Sequence, residues 1–241
     1  MPTNLRSFRT VLPLERPEQP GLTVAAEAGR NTDDERAALL AELQHRVRNM
    51  LWLTRMITRR SAESSESLED YVAHLDGRLG AMARVQNTVI RDPRAGLDLW
   101  SLITDELASV QADDPVRARL VGPTVLLHAR AAEPLALALH ELTTNALKYG
   151  ALSTPTGRIA VTWRCAARQG APILMIDWTE TGVRLDPSED RRRGFGWIVL
   201  EEMLTYQLEA EAQLNLSPDG MTCRLVLPLT DRIVRSMEDQ D

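Results

Sequence analysis

Cysteine is scarce in this chain of 241 residues, which contains only two. Cys165 and Cys223 do not have a metal-type spacing, and each falls in an alternating run that is typical of a strand. We therefore expect two buried thiols rather than a disulfide or a pair of metal ligands.

Long apolar runs are missing as well. No window approaches the roughly 18 uncharged apolar residues that a membrane helix needs. The first 21 residues also lack the continuous apolar core of a signal peptide. We expect a cytoplasmic protein without membrane insertion, whose stimulus arrives through a separate sensor protein or a soluble ligand.

The chain has no excess of positive charge, since its formal net charge is −6. This argues against nucleic acid or an anionic membrane as the main partner. Hydrophobic residues make up 44% and charged residues 26%, close to the average of soluble globular proteins, so most of the chain should fold.

The N-terminal half predicts an irregular arm followed by a helical hairpin. Residues 1–32 contain several prolines and glycines and little periodicity, which indicates an arm or linker. Apolar residues then recur every three or four positions over 34–61 and again over 68–90, with a polar break between them. The hairpin, residues 33–92, would bury too little alone, so we expect a four-helix bundle in a homodimer.

The C-terminal half mixes helix and strand patterns. Because few of its strands are joined by tight turns, residues 97–230 predict an α/β sandwich, and residues 231–241 a polar tail. The predicted helices are 99–110, 133–149 and 196–206, and the predicted strands are 124–129, 158–167, 172–178, 212–216 and 221–227.

A histidine stands out on the first predicted helix. His45 lies about 200° around the helix from the apolar Leu43 and Val47, so it should face away from the seam. An exposed imidazole with one neutral nitrogen can attack phosphorus, and Glu42 and Asn49, one turn to either side, could orient the ring. The pattern alone also fits a solvated helix face with an incidental histidine.

A second group of polar residues shares one face of the predicted helix 133–149. Glu141, Asn145 and Lys148 are spaced i, i+4 and i+7. Oxygen ligands suit a hard cation and an ammonium suits phosphate, so the face predicts a magnesium–triphosphate site. An amphipathic helix with a merely hydrated polar face remains the alternative.

Two glycine-containing segments follow. The strand over 173–178 leads into Glu180 and Gly182, where a carboxylate could accept a hydrogen bond from an adenine amino group. Gly194-Phe195-Gly196 opens the next helix, which would offer backbone N–H groups to phosphate. Each segment taken alone is weak evidence.

Taken together, in order, these motifs resemble the HWE family of sensor histidine kinases. The matching segments are His45-Arg46-Val47-Arg48-Asn49, the stretch from His140 to Ser153, Trp178-Thr179-Glu180 and Gly194-Phe195-Gly196. The resemblance covers residues 35–229. It implies an α+β fold, in which an antiparallel dimerisation and phosphotransfer hairpin is followed by a Bergerat-type ATP-binding domain.

The resemblance also implies roles. His45 would be the phospho-acceptor, Asn145 the ligand of Mg²⁺, and Glu180 the adenine-binding acid. The phosphoryl group would pass from His45 to an aspartate of a response regulator receiver domain. The remaining nucleotide-binding positions would be His140, Glu141, Lys148, Gly182, Gly194, Phe195 and Gly196.

This sequence departs from the family pattern in three places. Thr181-Gly182-Val183-Arg184 replaces a Gly-Gly-Pro stretch, Gln86 stands where many members have histidine, and about 30 N-terminal residues cannot supply a sensor domain. Two other functions remain open, a phosphotransfer or scaffold protein without ATP chemistry and an ATPase clamp. Trp52 lies near the face of His45, and we predict that it docks against the ATP domain or the receiver.

Overall fold

The computed structural model describes residues 20–92, 96–112, 114, 116–184 and 195–238. Residues 93–95, the charged segment 185–193 and Gly194 lie outside the described residues, as do the side chains of Glu42 and His45.

Two long helices open the described chain. Helix α1 is Pro20–Ser64 and helix α2 is Leu68–Arg91. The Ser67 side chain caps α2 by accepting a hydrogen bond from the Asp70 backbone N–H, and Glu69 and Asp70 stabilise its positive N-terminal end. Helix α1 begins at Pro20, so the prediction of an irregular arm to residue 32 is wrong for 20–32. Proline is tolerated in the first turn, and the alanines after it favour helix.

The two helices form an antiparallel hairpin. Near its closed end, Arg78 Nη1 donates to Ser61 Oγ at 2.7 Å, and Ser65 Oγ lies 3.1 Å from His74 Nδ1. The apolar residues Leu53, Ile57, Met82 and Val85 are buried in the main core. Farther toward the N-terminus the predicted seam is exposed, at Leu40, Leu43, Val47 and Met50.

A five-stranded sheet forms the scaffold of the second half, in the order β2-β4-β5-β7-β6. Strand β2 runs parallel to β4, and the other neighbours are antiparallel. The strands are β2 Ala118–Val121, β4 Arg158–Arg168, β5 Ala171–Thr181, β6 Glu211–Ser217 and β7 Gly220–Pro228.

A smaller antiparallel sheet has the order β1-β3-β8, made of Leu97–Asp98, Thr124–Leu127 and Val234–Glu238. Strand β8 corrects the expectation that residues 231–241 are a polar tail. The polar residues of this strand masked its β pattern, but Ile233 is buried just before it and accepts the His128 backbone N–H.

Helices cover one face of the large sheet. Along β5 the inward residues Leu174, Ile176 and Trp178 are buried, whereas Asp177 and Thr179 point to the other face. The helices are α3 Leu99–Ser109, α4 Ala129–Tyr149, α5 Phe195–Ile198, a π-helical turn Val199–Met203 and α6 Leu204–Leu208, with a 3₁₀ turn at Ala151–Ser153. The predicted α+β arrangement of helices followed by an α/β sandwich is confirmed.

The boundary between compact units falls between Met50 and Leu51 rather than at the predicted 92–97 junction. The closed end of the hairpin belongs with the sheet because α2 packs on α4. No helix in the described ranges is both long and apolar enough to cross a membrane.

Candidate functional site

The polar face of α4 is arranged as its spacing predicts. Leu135, Leu139, Leu142 and Ala146 are buried on the opposite side, which fixes the rotation of the helix. Asn145 and Lys148 are exposed, whereas Glu141 is only 5% exposed. This face therefore carries two accessible groups and one buried carboxylate.

Glu141 forms a buried ion pair with Arg78 of α2. Arg78 Nε donates to Glu141 Oε1 at 2.8 Å and Nη2 donates to Oε2 at 3.2 Å. The exposure of each side chain is 6%, so little water reaches the pair. Sequence reasoning missed Arg78, because nothing local in the sequence links it to a carboxylate on another helix.

Helix α5 brings the glycine segment onto the same face. A Cβ added at Gly196 would lie 3.2 Å from Asn145 Nδ2 and 3.3 Å from Glu141 Cβ, so a larger residue would have to push these side chains aside. The guanidinium carbon of Arg78 lies 3.8 Å from the centroid of the Phe195 ring, in a cation–π contact. Two motifs far apart in sequence therefore meet at Glu141 and Asn145.

Lys148 reaches the hairpin. Its Nζ lies 2.6 Å from His74 Nε2, and the other ring nitrogen lies 3.1 Å from Ser65 Oγ. Burial, and after it the charge of Lys148, lowers the pKa of His74. A neutral imidazole fits both contacts, accepting from the ammonium and donating to the hydroxyl.

Glu180 lies on the inner face of β5 and is only 2% exposed. Its Oε1 accepts a hydrogen bond from Trp178 Nε1 at 3.1 Å, and its Oε2 accepts one from the Ala151 backbone N–H at 2.7 Å. A Cβ at Gly150 would lie 2.0 Å from Oε2, so only glycine fits there. Glu180 thereby ties the sheet to the C-terminal end of α4.

Gly182 turns the chain beyond β5. Its φ is +73°, and a Cβ there would lie 2.7 Å from the Thr156 carbonyl oxygen. The Thr154 hydroxyl donates to the Gly182 carbonyl at 3.1 Å. This glycine closes the turn between the sheet and the segment that follows α4.

His140 is placed apart from Glu180 and Gly182. Its Nδ1 lies 3.2 Å from Glu106 Oε2, and a Cβ at Gly77 would lie 2.9 Å from its Nε2. Arg84 Nη2 donates to both oxygens of Glu106, at 2.6 and 2.7 Å. The described contacts of His140 are thus with α2 and α3, and they favour a structural role.

The predicted phospho-acceptor lies on the N-terminal half of α1. His45 is helical, and Asn49, one turn away, is exposed. Beyond the unit boundary, Trp52 lies against Tyr206 of α6, with ring centroids 6.4 Å apart. That is one of the two dockings predicted for Trp52, and both rings keep a large exposed surface.

The donor set fits magnesium held largely by phosphate oxygens. Within the described ranges, no three His, Cys, Asp or Glu side chains cluster so that they could hold a metal ion. Mg²⁺ is usually bound by only one or two protein ligands plus substrate phosphates and water. The exposed Asn145 amide next to the Glu141 carboxylate meets that requirement, although Arg78 engages the carboxylate.

The N-terminal half of the chain matches a known family model. Residues 42–124 match the family model described as HWE histidine kinase. Over this segment the chain is similar to the HWE family of histidine kinases. The matched segment begins three residues before the predicted His45 motif, continues through the hairpin and ends at the first residue of β3.

Curated proteins similar to this chain include two blue-light-activated histidine kinases. The protein from Brucella anthropi is 28% identical over 212 residues, which are 87% of this chain and 43% of that protein. The protein from Brucella ovis is 25% identical over 92% of this chain and 45% of its own length. The chain thus spans less than half the length of these relatives.

Solved structures support the fold. The chain is similar to the histidine kinase domain of the EL346 blue-light-activated histidine kinase from Erythrobacter litoralis, with a TM-score of 0.52, 15% identity, and coverage of 74% of this chain and 95% of that one. A longer structure of EL346 gives a TM-score of 0.53 at 20% identity, covering 80% of this chain and 63% of that one.

Proposed function

We propose that this chain is an ATP-dependent protein-histidine kinase, which phosphorylates its own His45 and passes the phosphoryl group to an aspartate of a response regulator receiver domain. Its similarity to histidine kinases supports a two-component signalling role. The N-terminal motif and the α4 face supply the residue types that the two halves of the reaction need.

The observation that carries the proposal is the meeting of the asparagine and glycine motifs. Gly196 lies so close to Asn145 and Glu141 that a Cβ would stand 3.2–3.4 Å from their side-chain atoms. Because Gly196 lies this close to the polar face of α4, a ligand would have to bind beside the glycine rather than between it and the helix. Asn145 and Lys148 on α4 are both exposed and so accessible to a ligand.

Each side chain then has a distinct task. Asn145 would bind Mg²⁺, which when present supplies charge neutralisation for the triphosphate. Lys148 would contact phosphate once it leaves His74. Glu180, which is deeply buried and accepts hydrogen bonds from Trp178 and Ala151, would contact the adenine.

The transfer itself is a displacement at phosphorus. A neutral ring nitrogen of His45 forms the N–P bond while the bond from the γ-phosphorus to the bridging oxygen breaks, and ADP leaves with that electron pair. Glu42 and Asn49, about one helical turn to either side along the sequence, would orient the imidazole. An aspartate carboxylate of the receiver then takes the phosphoryl group and regenerates His45.

A homodimer through the hairpin is part of the proposal. The seam residues Leu40, Leu43, Val47 and Met50 are exposed in the single chain, and Leu68 and Val72 are exposed on α2. A groove along α2 is lined by Leu68, Glu69, Val72, Ala73 and Asp76. A second copy would cover these apolar surfaces in a four-helix bundle.

Transfer of label from γ-labelled ATP tests the function. The wild type should acquire acid-labile label, and both His45→Ala and Asn145→Ala should abolish it. His128→Ala is the matched histidine control and should label normally, because His128 lies at the start of α4 away from the site. Label retained in His45→Ala would show that the acceptor is assigned wrongly.

The second candidate is a phosphotransfer or scaffold protein without ATP chemistry. The buried ion pair between Glu141 and Arg78 favours this second function, because Arg78 already occupies a carboxylate that the nucleotide site would use. That function predicts no nucleotide binding in either wild type or Asn145→Ala. An ATPase clamp would instead release labelled phosphate to solvent without labelling His45.

A further inference from the structure

Arg78 of α2 forms an ion pair with Glu141, the buried carboxylate on the polar face of α4. We propose that Arg78 and an incoming magnesium–nucleotide compete for Glu141, so that this ion pair latches α2 onto the site while nucleotide is absent. The inference rests on the proposed function and adds a regulatory contact to it.

The geometry of the pair makes the competition direct. Nε and Nη2 of Arg78 each donate to a different oxygen of Glu141, at 2.8 and 3.2 Å. Such a bidentate pair is stronger and more directional than a single-contact bridge. A metal ion, or a water bound to it, can use Glu141 fully only by displacing at least one of these bonds.

Arg78 also connects three separate helices. Its Nη1 donates to Ser61 Oγ on α1, and its guanidinium stacks over the Phe195 ring on α5. The Arg78 side chain therefore contacts α1 of the hairpin, the polar face of α4 and helix α5. If Glu141 released Arg78, the contacts of Arg78 with Ser61 and Phe195 would also change.

Electrostatic repulsion disfavours having the Arg78–Glu141 ion pair and a bound magnesium ion at the same time. Asn145 follows Glu141 by one helical turn, so their side chains lie about 5–6 Å apart at Cβ. A divalent cation at Asn145 would be attracted by Glu141 and repelled by the Arg78 guanidinium. Binding would thus weaken the Arg78–Glu141 pair, and by reciprocity the pair weakens binding.

Two neighbouring contacts between α2 and α4 are also polar side-chain contacts. His74 meets Lys148 at 2.6 Å, and the Gln86 amide donates to Glu133. Polar partners can exchange each other for water with little net change in free energy, unlike packed apolar side chains. The apolar contacts of Met82 and Val85 would keep α2 in place while the latch opens.

Affinity for a non-hydrolysable ATP analogue with Mg²⁺, measured by calorimetry, tests the latch without turnover. Arg78→Met keeps the aliphatic stem and removes the donors, and its dissociation constant should fall about tenfold relative to wild type. Arg84→Met is the matched control, since it removes the partner of another buried carboxylate, Glu106, from the same helix. Its affinity should stay within about twofold of wild type.

Unchanged or weaker binding in Arg78→Met would overturn the competition and leave the proposed function standing. Absence of binding in wild type and Arg78→Met alike would overturn both. If Arg78→Met does not fold, hydrogen exchange on the wild type decides. Amides of residues 74–82 should exchange faster with the bound analogue, and equal or slower exchange would contradict the latch.

Discussion

The indole nitrogen of Trp178 donates a hydrogen bond to Glu180 Oε1, 3.1 Å away on the same strand. Alternate residues of a strand face the same side, so a Trp-x-Glu sequence places both side chains on the inner face of β5. The buried indole N–H and the buried carboxylate each need a partner, and they supply one another. The motif therefore has a structural basis that does not depend on a ligand.

Glu180→Gln should destabilise the fold. One of the two oxygens becomes an NH₂ group that faces an N–H donor, either of Trp178 or of Ala151. A buried group left unsatisfied in this way costs about 1–3 kcal/mol of unfolding free energy, measurable by urea denaturation. Glu211→Gln is the control, because its ion pair with Arg168 is about half exposed, and it should change stability by less than about 0.5 kcal/mol.

Two glycines of α2 should respond oppositely to alanine. Gly80→Ala should stabilise the protein by roughly 0.5–1 kcal/mol, because alanine favours helix and the nearest atom to the new Cβ is Arg84 Nη1 at 3.5 Å. Gly77→Ala should give no gain, because its Cβ would lie 2.9 Å from Nε2 of the buried His140. Thermal unfolding of the two variants checks this, and equal stabilisation would show that His140 does not pack on Gly77.

The two thiols should differ in reactivity. Burial raises the pKa of Cys223 to about 12, so at pH 8 almost none of it is thiolate. Cys165 is partly exposed. A thiol-specific chromogenic reagent should leave Cys223 unmodified in the native protein and react with it after denaturation. Rapid native modification of Cys223 would contradict its burial.

Residues beyond β7 should contribute to stability. Ile233→Ala should lower the unfolding free energy by about 2–4 kcal/mol, because the side chain is 5% exposed in the core. Val116→Ala removes a similar amount of apolar surface from a side chain that is 66% exposed, and should change stability by less than about 0.5 kcal/mol. Equal effects would mean that Ile233 is not part of the core.

The local patterns predicted most of the elements correctly. Helix α2, α4 and strands β4–β7 follow periodicities that are strong over several residues, and the shared face of Glu141 and Asn145 follows from helix geometry alone. Strands β1 and β2 are too short to show a period, and polar residues hide β8. These strands exist because of pairing with partners distant in sequence, such as Val125 opposite Met237.

The candidate site was predictable only in part. Spacing within one helix predicts Glu141 and Asn145, but no spacing links Glu141 to Arg78 on another helix. His140 is assigned to the nucleotide by its place in the motif, whereas the structure packs it between Glu106 and Gly77. The position of His140 depends on tertiary packing against other helices, which cannot be predicted from a single sequence.

The central claim is that phosphoryl transfer occurs on His45. After incubation of the full chain with Mg-ATP, tryptic digestion under alkaline conditions and mass spectrometry should find one phosphoryl group on the peptide 37–46, bound to its only histidine. The label should be lost in acid and absent in Asn145→Ala. An acid-stable phosphate, or one on a peptide that lacks His45, would contradict the account.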